Sequence, residues 1–285
     1  MTLIPIIRTK SALGAQRNAW AADGASIALV PTMGALHEGH LTLVREARRY
    51  VGPQGRVIVS IFVNPAQFAP HEDFDHYPRD LAADAAKLET SGGADFIYAP
   101  DASEIYPDGF AARIHIDGPA SGLESEARPH FFSGVATVVA KLFLQVKPGC
   151  AFFGEKDYQQ LLVVKQLVRD LDLGIEIVGV PIVREADGLA LSSRNAYLSA
   201  HDRQIAGTLN RVLQGTATMV RKGTPIERAE HEAASILKQS GFSRVDYVAI
   251  RDAETLEPVK NLDRPARILA ASVVGRTRLI DNMPV

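Results

Sequence analysis

From its start to about Val183 the chain alternates short apolar, β-branched runs with amphipathic stretches, and this rhythm restricts the possible folds more than any other feature. It is the pattern of βαβ units, in which strands buried on both faces are joined by helices that each bury one stripe. Strands are expected at Ile27–Val30, Val57–Val63, Phe96–Tyr98, Ala151–Phe153 and Ile175–Val180, with an opening strand at Leu3–Ile7. Between them, Leu41–Tyr50, Asp80–Thr90, Val135–Val146 and Lys156–Leu171 carry apolar residues three and four apart, as Leu161, Val164, Leu167, Val168 and Leu171 do. These are the crossover helices of an α/β fold, a Rossmann-like doubly wound parallel sheet.

The character changes after the polar segment Arg184 to Ser199. Helical stretches at His201–Lys222 and Ile226–Gln239 are followed by Arg244–Arg251, Arg267–Val274 and Arg278–Ile280, where apolar residues alternate with charge. Helices followed by consecutive strands predict a smaller C-terminal α+β domain. The boundary is expected near Ser192, which gives domains of residues 1–191 and 192–285, the second closing over a site carried by the first.

With 285 residues, 46% of them hydrophobic, the chain can bury a large core without metal or disulfide staples. The 31 basic and 33 acidic side chains leave a formal charge of -2, so no global field draws it to nucleic acid or to an anionic membrane. Any phosphate it binds must be held locally. The single cysteine, Cys150, lies in an apolar run and cannot form an internal disulfide, which suits a reducing compartment. Pro5 interrupts the apolar stretch Leu3 to Ile7 and Arg8 ends it, short of a signal-peptide core, and no uncharged apolar run approaches the ~18 residues of a membrane span. A soluble, cytoplasmic protein is expected.

Ligands of an open parallel sheet bind where strands end and helices begin, because helix N-termini present unpaired N–H groups there. The first such junction reads Pro31-Thr32-Met33-Gly34-Ala35-Leu36-His37-Glu38-Gly39-His40. Gly34 and Gly39 permit close backbone approach, and His37 and His40 bring two imidazoles to a helix N-terminus, an arrangement suited to an anion. A zinc site is the other sharp option, but one cysteine and no second His/Cys cluster leave it short of ligands. Read alone, either histidine would be a solvated turn residue.

His37-Glu38-Gly39-His40 after a first strand resembles the His-x-Gly-His signature of the nucleotidyltransferase superfamily, and the longer run from Pro31 to His40 resembles the pantothenate synthetase family. The resemblance implies an ATP-dependent ligase that joins pantoate to β-alanine through a pantoyl adenylate, with release of AMP and pyrophosphate. It implies that Met33, Gly34, Ala35, Leu36, His37, Glu38, Gly39 and His40 bind ATP, and that His37 and His40 offset charge building on the α-phosphate.

Three further segments extend the resemblance in the family's order. In Asn64-Pro65-Ala66-Gln67 proline stops a buried strand and leaves amides at its end; the family likeness implies that Gln67 contacts both pantoate and β-alanine, with Asn64 and Tyr77 on the β-alanine side. In Phe153-Gly154-Glu155-Lys156-Asp157-Tyr158-Gln159-Gln160 a glycine and a lysine open a helix. Phosphate could be held there, though the run is not a Walker A loop. By resemblance Gly154, Glu155, Lys156 and Asp157 bind ATP, Lys156 catalytically, and Gln160 binds pantoate.

In the run from Val183 to Asn195, Leu191, Ser192, Ser193 and Arg194 form a hydroxyl- and guanidinium-bearing loop suited to clamping phosphate, with Val183 near the adenine and Arg194 catalytic by the same resemblance. The family also implies Mg2+ with ATP, for which Asp84 is a candidate ligand, and a homodimer. One departure stands out: where family members carry a histidine before Phe-x-Gly-Val, this chain has Phe131, with His130 one position early. Two rival readings are an adenylyltransferase that makes a dinucleotide coenzyme and a nucleotide-binding regulatory module without catalysis. Gln67 and Gln160 argue against the first; retention of every charge-stabilising residue argues against the second.

Overall fold

The structure, a computed structural model, describes residues 4–69 and 74–285. Its elements in chain order are β1 (Ile6–Ile7), α1 (Lys10–Ala22), β2 (Ile27–Thr32), α2 (Glu38–Val51), β3 (Arg56–Ile61), α3 (Leu81–Ser91), β4 (Phe96–Tyr98), α4 (Ala102–Ile105), α5 (Glu124–Ala127), α6 (Phe131–Val146), β5 (Cys150–Gly154), α7 (Tyr158–Asp170) and β6 (Glu176–Val180). They continue with α8 (Ala200–Ala206), α9 (Thr208–Arg221), α10 (Ile226–Gln239), β7 (Arg244–Asp252), β8 (Ala266–Val274) and β9 (Thr277–Pro284). The chain groups into two compact units.

The first unit holds the chain up to Ile116 together with Arg128–Glu155 and Val163–Pro181. Its parallel sheet runs in the order β1-β4-β3-β2-β5-β6. From β2 the chain winds outward through β3 and β4, then returns to place β5 and β6 on the other side of β2. The strand order therefore reverses between β2 and β5, and the crevice at that switch point is where such sheets bind ligands. Ala28, Leu29 and Val30 of β2 and Ala151 and Phe152 of β5 are buried, as strands covered on both faces should be.

Two local outcomes differ from the sequence expectation. Helix α1 was not foreseen, because only Leu13 and Trp20, two turns apart, face inward and no full apolar stripe marks it; Trp20 packs edge-on against Phe96 at 4.8 Å. Strand β3 stops at Ile61, two residues before the expected Val63, with Phe62 bonding to Thr32 as the chain turns toward Asn64-Pro65. Leu3 of the expected opening strand lies outside the described residues.

The second unit holds Asp117–Ala127, Lys156–Leu162 and Ile182–Val285. Its antiparallel sheet β7-β8-β9 shares a core with α8, α9 and α10 through Ala206, Leu209, Leu237, Ile250, Ile268 and Leu279. The segment Ile182–Leu191 falls in this unit because Leu189 packs into that core and Arg184 forks onto Asp281 of β9. The expected helix His201–Lys222 divides at Gly207 into α8 and α9: glycine is a poor helix former, and the Thr208 hydroxyl bonds the Ile205 carbonyl across the break. Among the described residues no helix is long and apolar enough to cross a membrane.

Candidate active site

Strand β2 ends in Thr32, whose hydroxyl donates to the Ser60 carbonyl at 2.8 Å and so ties the loop's origin to β3. Gly34 follows with φ +82°, a left-handed conformation open to glycine; a Cβ there would sit 3.0 Å from an Asp84 oxygen and 3.2 Å from Ile61. Asp84 projects from α3 beneath this loop. Its two oxygens accept the Ala35 N–H at 2.9 Å and the Leu36 N–H at 2.8 Å, while Lys87, one turn on, donates to the Leu36 carbonyl at 2.7 Å. Helix α3 thus holds the loop by both faces of its backbone. Asp84, the candidate Mg2+ ligand of the sequence, is a buried carboxylate that accepts from two loop amides. No group of three or more His, Cys, Asp or Glu side chains is placed to hold a metal among the described residues.

His37 is the N-cap of α2, and its Nδ1 accepts the Gly39 N–H at 3.2 Å. His40 reaches back so that its Nδ1 accepts the His37 N–H at 3.3 Å, closing a capping box built from two imidazoles with ring centroids 4.0 Å apart. An Nδ1 that accepts from backbone carries no proton in the neutral ring, so the neutral tautomer of each histidine has its proton on Nε2. Both rings therefore hold an N–H donor in fixed orientation at the positive end of a helix dipole. Glu38 turns outward to pair with Arg45, leaving its backbone as its part in the loop.

The Asn64 turn lies at the end of β3. Asn64 is buried and its amide is fully used: Nδ2 donates to Gln67 Oε1 and to the Gly134 carbonyl, each at 3.1 Å, while Oδ1 accepts from Ala66 N at 3.2 Å and from Tyr106 Oη at 2.7 Å. Burial pushes the Tyr106 hydroxyl up to about 12, so it stays a donor. Gln67 Nε2 lies 2.9 Å from the Met33 sulfur, which brings the first and second junctions together. Arg128 donates to the Gln67 carbonyl at 3.0 Å and stacks on Phe131 at 3.9 Å, so the phenylalanine that departs from the family pattern supports an arginine beside Gln67. His130 is exposed at the start of α6. Tyr77 is buried edge-on against Phe68.

Strand β5, beside β2, ends in Gly154, and Glu155–Asp157 form one 3₁₀ turn before α7. In the second unit the Lys156 ammonium lies 3.8 Å from Asp157, and its backbone carbonyl accepts from Asn282 at 2.9 Å. Gln159 is buried and binds the 119–124 segment, accepting from Glu124 N and donating to Pro119 O; its neighbour Gln160 is only partly buried. Val183 and Leu191 bond across a short hairpin at 3.0 Å, and Ser192 caps the following turn by accepting from Arg194 N at 3.3 Å.

The profile of the Pantoate-beta-alanine ligase family matches residues 5–284. The chain belongs to the pantoate-β-alanine ligase family. A pantothenate synthetase of Mesorhizobium japonicum is 53% identical over 280 residues, 98% of this chain and 97% of the relative. The crystal structure of pantothenate synthetase from Thermus thermophilus superposes with a TM-score of 0.90 at 46% identity, covering 98% of each chain. The pantoate-β-alanine ligase of Francisella tularensis, solved in complex with beta-gamma ATP and β-alanine, gives a TM-score of 0.82 at 34% identity over 99% of this chain and 97% of its own.

As a pantoate-β-alanine ligase the chain catalyses ATP-dependent formation of an amide between those two substrates. The residues that sequence reasoning missed around this site are supporting ones: Lys87, Tyr106, Gly134 and Arg184. Lys87 and Tyr106 carry no motif, since their partners Leu36 and Asn64 lie 51 and 42 residues away along the chain. Gly134 had a local signal, being the one glycine within a long and largely apolar helix.

Proposed function

We propose that this ligase works through a pantoyl adenylate, and that His37, His40, Lys156 and Arg194 carry the charge stabilisation. In the first step a pantoate carboxylate oxygen attacks the α-phosphorus of ATP; a new P–O bond forms, the bond to the β-phosphate oxygen breaks, and pyrophosphate leaves. In the second the β-alanine amine attacks the activated acyl carbon, loses a proton, and AMP departs. The complex of the Francisella tularensis relative with beta-gamma ATP and β-alanine supports both as ligands here.

The observation that carries the reading is the double-imidazole cap of α2. Two Nε2–H donors held by backbone bonds need no reorganisation as charge grows on the phosphates, which is the condition for strong electrostatic catalysis. Met33 to His40, which follow β2, and Gly154 to Asp157, at the end of β5 and just beyond it, are proposed to bind ATP, and by the family likeness so are Val183, Leu191, Ser192 and Ser193. Gln67 and Gln160 would hold pantoate, with Gln67 and Tyr77 toward β-alanine. Asn64 is proposed on the β-alanine side as well, where its amide, bonded to Gln67 Oε1, also fixes Gln67. Mg2+ is proposed to enter with ATP, with Asp84 as the candidate protein ligand; such an ion would offset charge on the triphosphate. A homodimer and a cytoplasmic location are kept as proposals resting on the family likeness.

The test is pantoate-dependent exchange of labelled pyrophosphate into ATP with β-alanine absent. His40→Ala should depress the exchange by ~10²–10³-fold, the scale for losing one preorganised donor, with a much smaller effect on ATP binding. Wild-type enzyme that forms pantothenate without exchange would rule out the adenylate.

A further inference from the structure

Two of the proposed ATP-binding segments, the Lys156 turn and the hairpin leading to Ser192-Ser193-Arg194, are fastened to the same two residues near the end of the chain. Asp281 and Asn282 are consecutive on β9 and both buried. Asp281 receives the Arg184 guanidinium as a fork, each arm 2.8 Å long, and also accepts from its neighbour Asn282 N at 2.7 Å. Arg184 passes the constraint on: the same guanidinium donates to the Gly188 carbonyl at the hairpin tip at 2.9 Å and to the Asn282 carbonyl at 3.2 Å. The hairpin in turn holds the next turn, where Asn195 Nδ2 donates to the Ala190 carbonyl at 3.1 Å. On the other arm, Asn282 Nδ2 donates to the Lys156 carbonyl at 2.9 Å. A bidentate arginine–carboxylate pair fixes direction as well as distance, and a buried side-chain amide bonded to a main-chain carbonyl fixes the residue that carries it.

We infer that Asp281 and Asn282 are positioning residues for ATP: they hold the Lys156 turn and the Arg194-bearing segment in one register, so that ammonium and guanidinium are presented together to the phosphates. The inference rests on the proposed roles of Lys156 and Arg194. Neither residue of the pair touches substrate under this reading. Asn282 acts through Lys156, and Asp281 through Arg184 and the hairpin.

The test is a double-mutant cycle read by pyrophosphate exchange, with ATP and pantoate varied separately. Asn282→Ala should raise the KM for ATP about tenfold, the effect of one lost hydrogen bond, and leave the KM for pantoate near wild type. Because Asn282 acts through Lys156, adding Asn282→Ala to Lys156→Ala should cost little beyond the single lysine replacement. Arg184→Lys, which keeps the charge and loses the fork, should show the same ATP-selective defect and serves if the asparagine variant does not fold. Folded Asn282→Ala or Arg184→Lys enzymes with a normal KM for ATP, or fully additive losses in the cycle, overturn the positioning role. If Lys156→Ala itself leaves ATP use unchanged, the assignment of Lys156 fails instead, and the inference built on it falls with it.

Discussion

Helix α6 approaches the Asn64-Pro65-Ala66-Gln67 turn more closely than any side chain would allow, and the contact can be closed off by a single methyl. A Cβ built on Gly134 would lie 2.3 Å from the Ala66 carbonyl oxygen, 2.6 Å from its carbon and 2.9 Å from Gln67 Cα. Carbon and oxygen come no nearer than about 3.3 Å even in favourable C–H···O contacts, so Gly134→Ala demands that helix and turn separate by ~1 Å. The helix is the stiffer partner, with Val135, Ala136, Val138 and Val139 buried, so the turn should yield. As it does, the bond from Asn64 to the Gly134 carbonyl stretches and Gln67 moves with it.

Overpacking of this kind costs ~1–3 kcal/mol of stability, and a displacement of ~1 Å at a substrate-positioning group costs as much as ~10²-fold in rate. We therefore expect Gly134→Ala to fold, to melt several degrees lower, and to lose about two orders of magnitude in kcat/KM for pantoate in the exchange assay while ATP dependence changes little. Gly215→Ala is the control: Gly215 also lies within a helix, α9, with open space around it, so the added methyl should be neutral or stabilise by up to about 1 kcal/mol. A folded Gly134→Ala enzyme with wild-type pantoate kinetics would refute the claim that this close approach positions Gln67.

Asp84→Ala removes the acceptor of two loop amides and should destabilise the protein by about 2–4 kcal/mol, with Asp84→Asn losing roughly half of that because one oxygen acceptor remains. Chemical denaturation measures the difference, and Mg2+ titration of either variant tests the metal role: a selective rise in the Mg2+ concentration needed marks Asp84 as a ligand, and an unchanged requirement marks it as a support of the loop alone. Gln67→Ala and Gln160→Ala should each raise the pantoate requirement and lower turnover with ATP binding largely intact, and loss of ATP affinity with normal pantoate dependence would show the acid pocket to be misassigned. Limited proteolysis at Ser192-Ser193-Arg194 should slow when ATP and pantoate are present, since closure over ligand orders the backbone that a protease must bend; cleavage at the same rate with and without ligand would mark a static linker.

The parts of this fold that were legible in the sequence are those set by local rules. Buried strands advertise themselves as β-branched runs, crossover helices as apolar residues three and four apart, and the ligand crevice follows from where such strands end, which is why the run from Met33 to His40 could be placed at a strand-to-helix junction from residue types alone. What stayed hidden depends on contacts between distant residues. Nothing local to Asp84 says that its oxygens meet Ala35 and Leu36, and an acid one turn into a helix reads first as a solvated carboxylate and only second as a metal ligand. Asn64 presents the reverse case: its position beside a proline reads as an open strand end, while the structure spends all four hydrogen-bonding capacities of its amide on Gln67, Ala66, Gly134 and Tyr106. The last strand was expected only over Arg278–Ile280, whereas β9 runs on to Pro284, and the Asp-Asn pair beyond the expected end has no signature of its own until Arg184, 97 residues earlier, is seen to fork onto it. A short polar side chain buried on a strand is costly unless it is bonded, so its presence there implies a partner; the sequence can pose that requirement at Asp281 and Asn282, but only the fold can name what meets it.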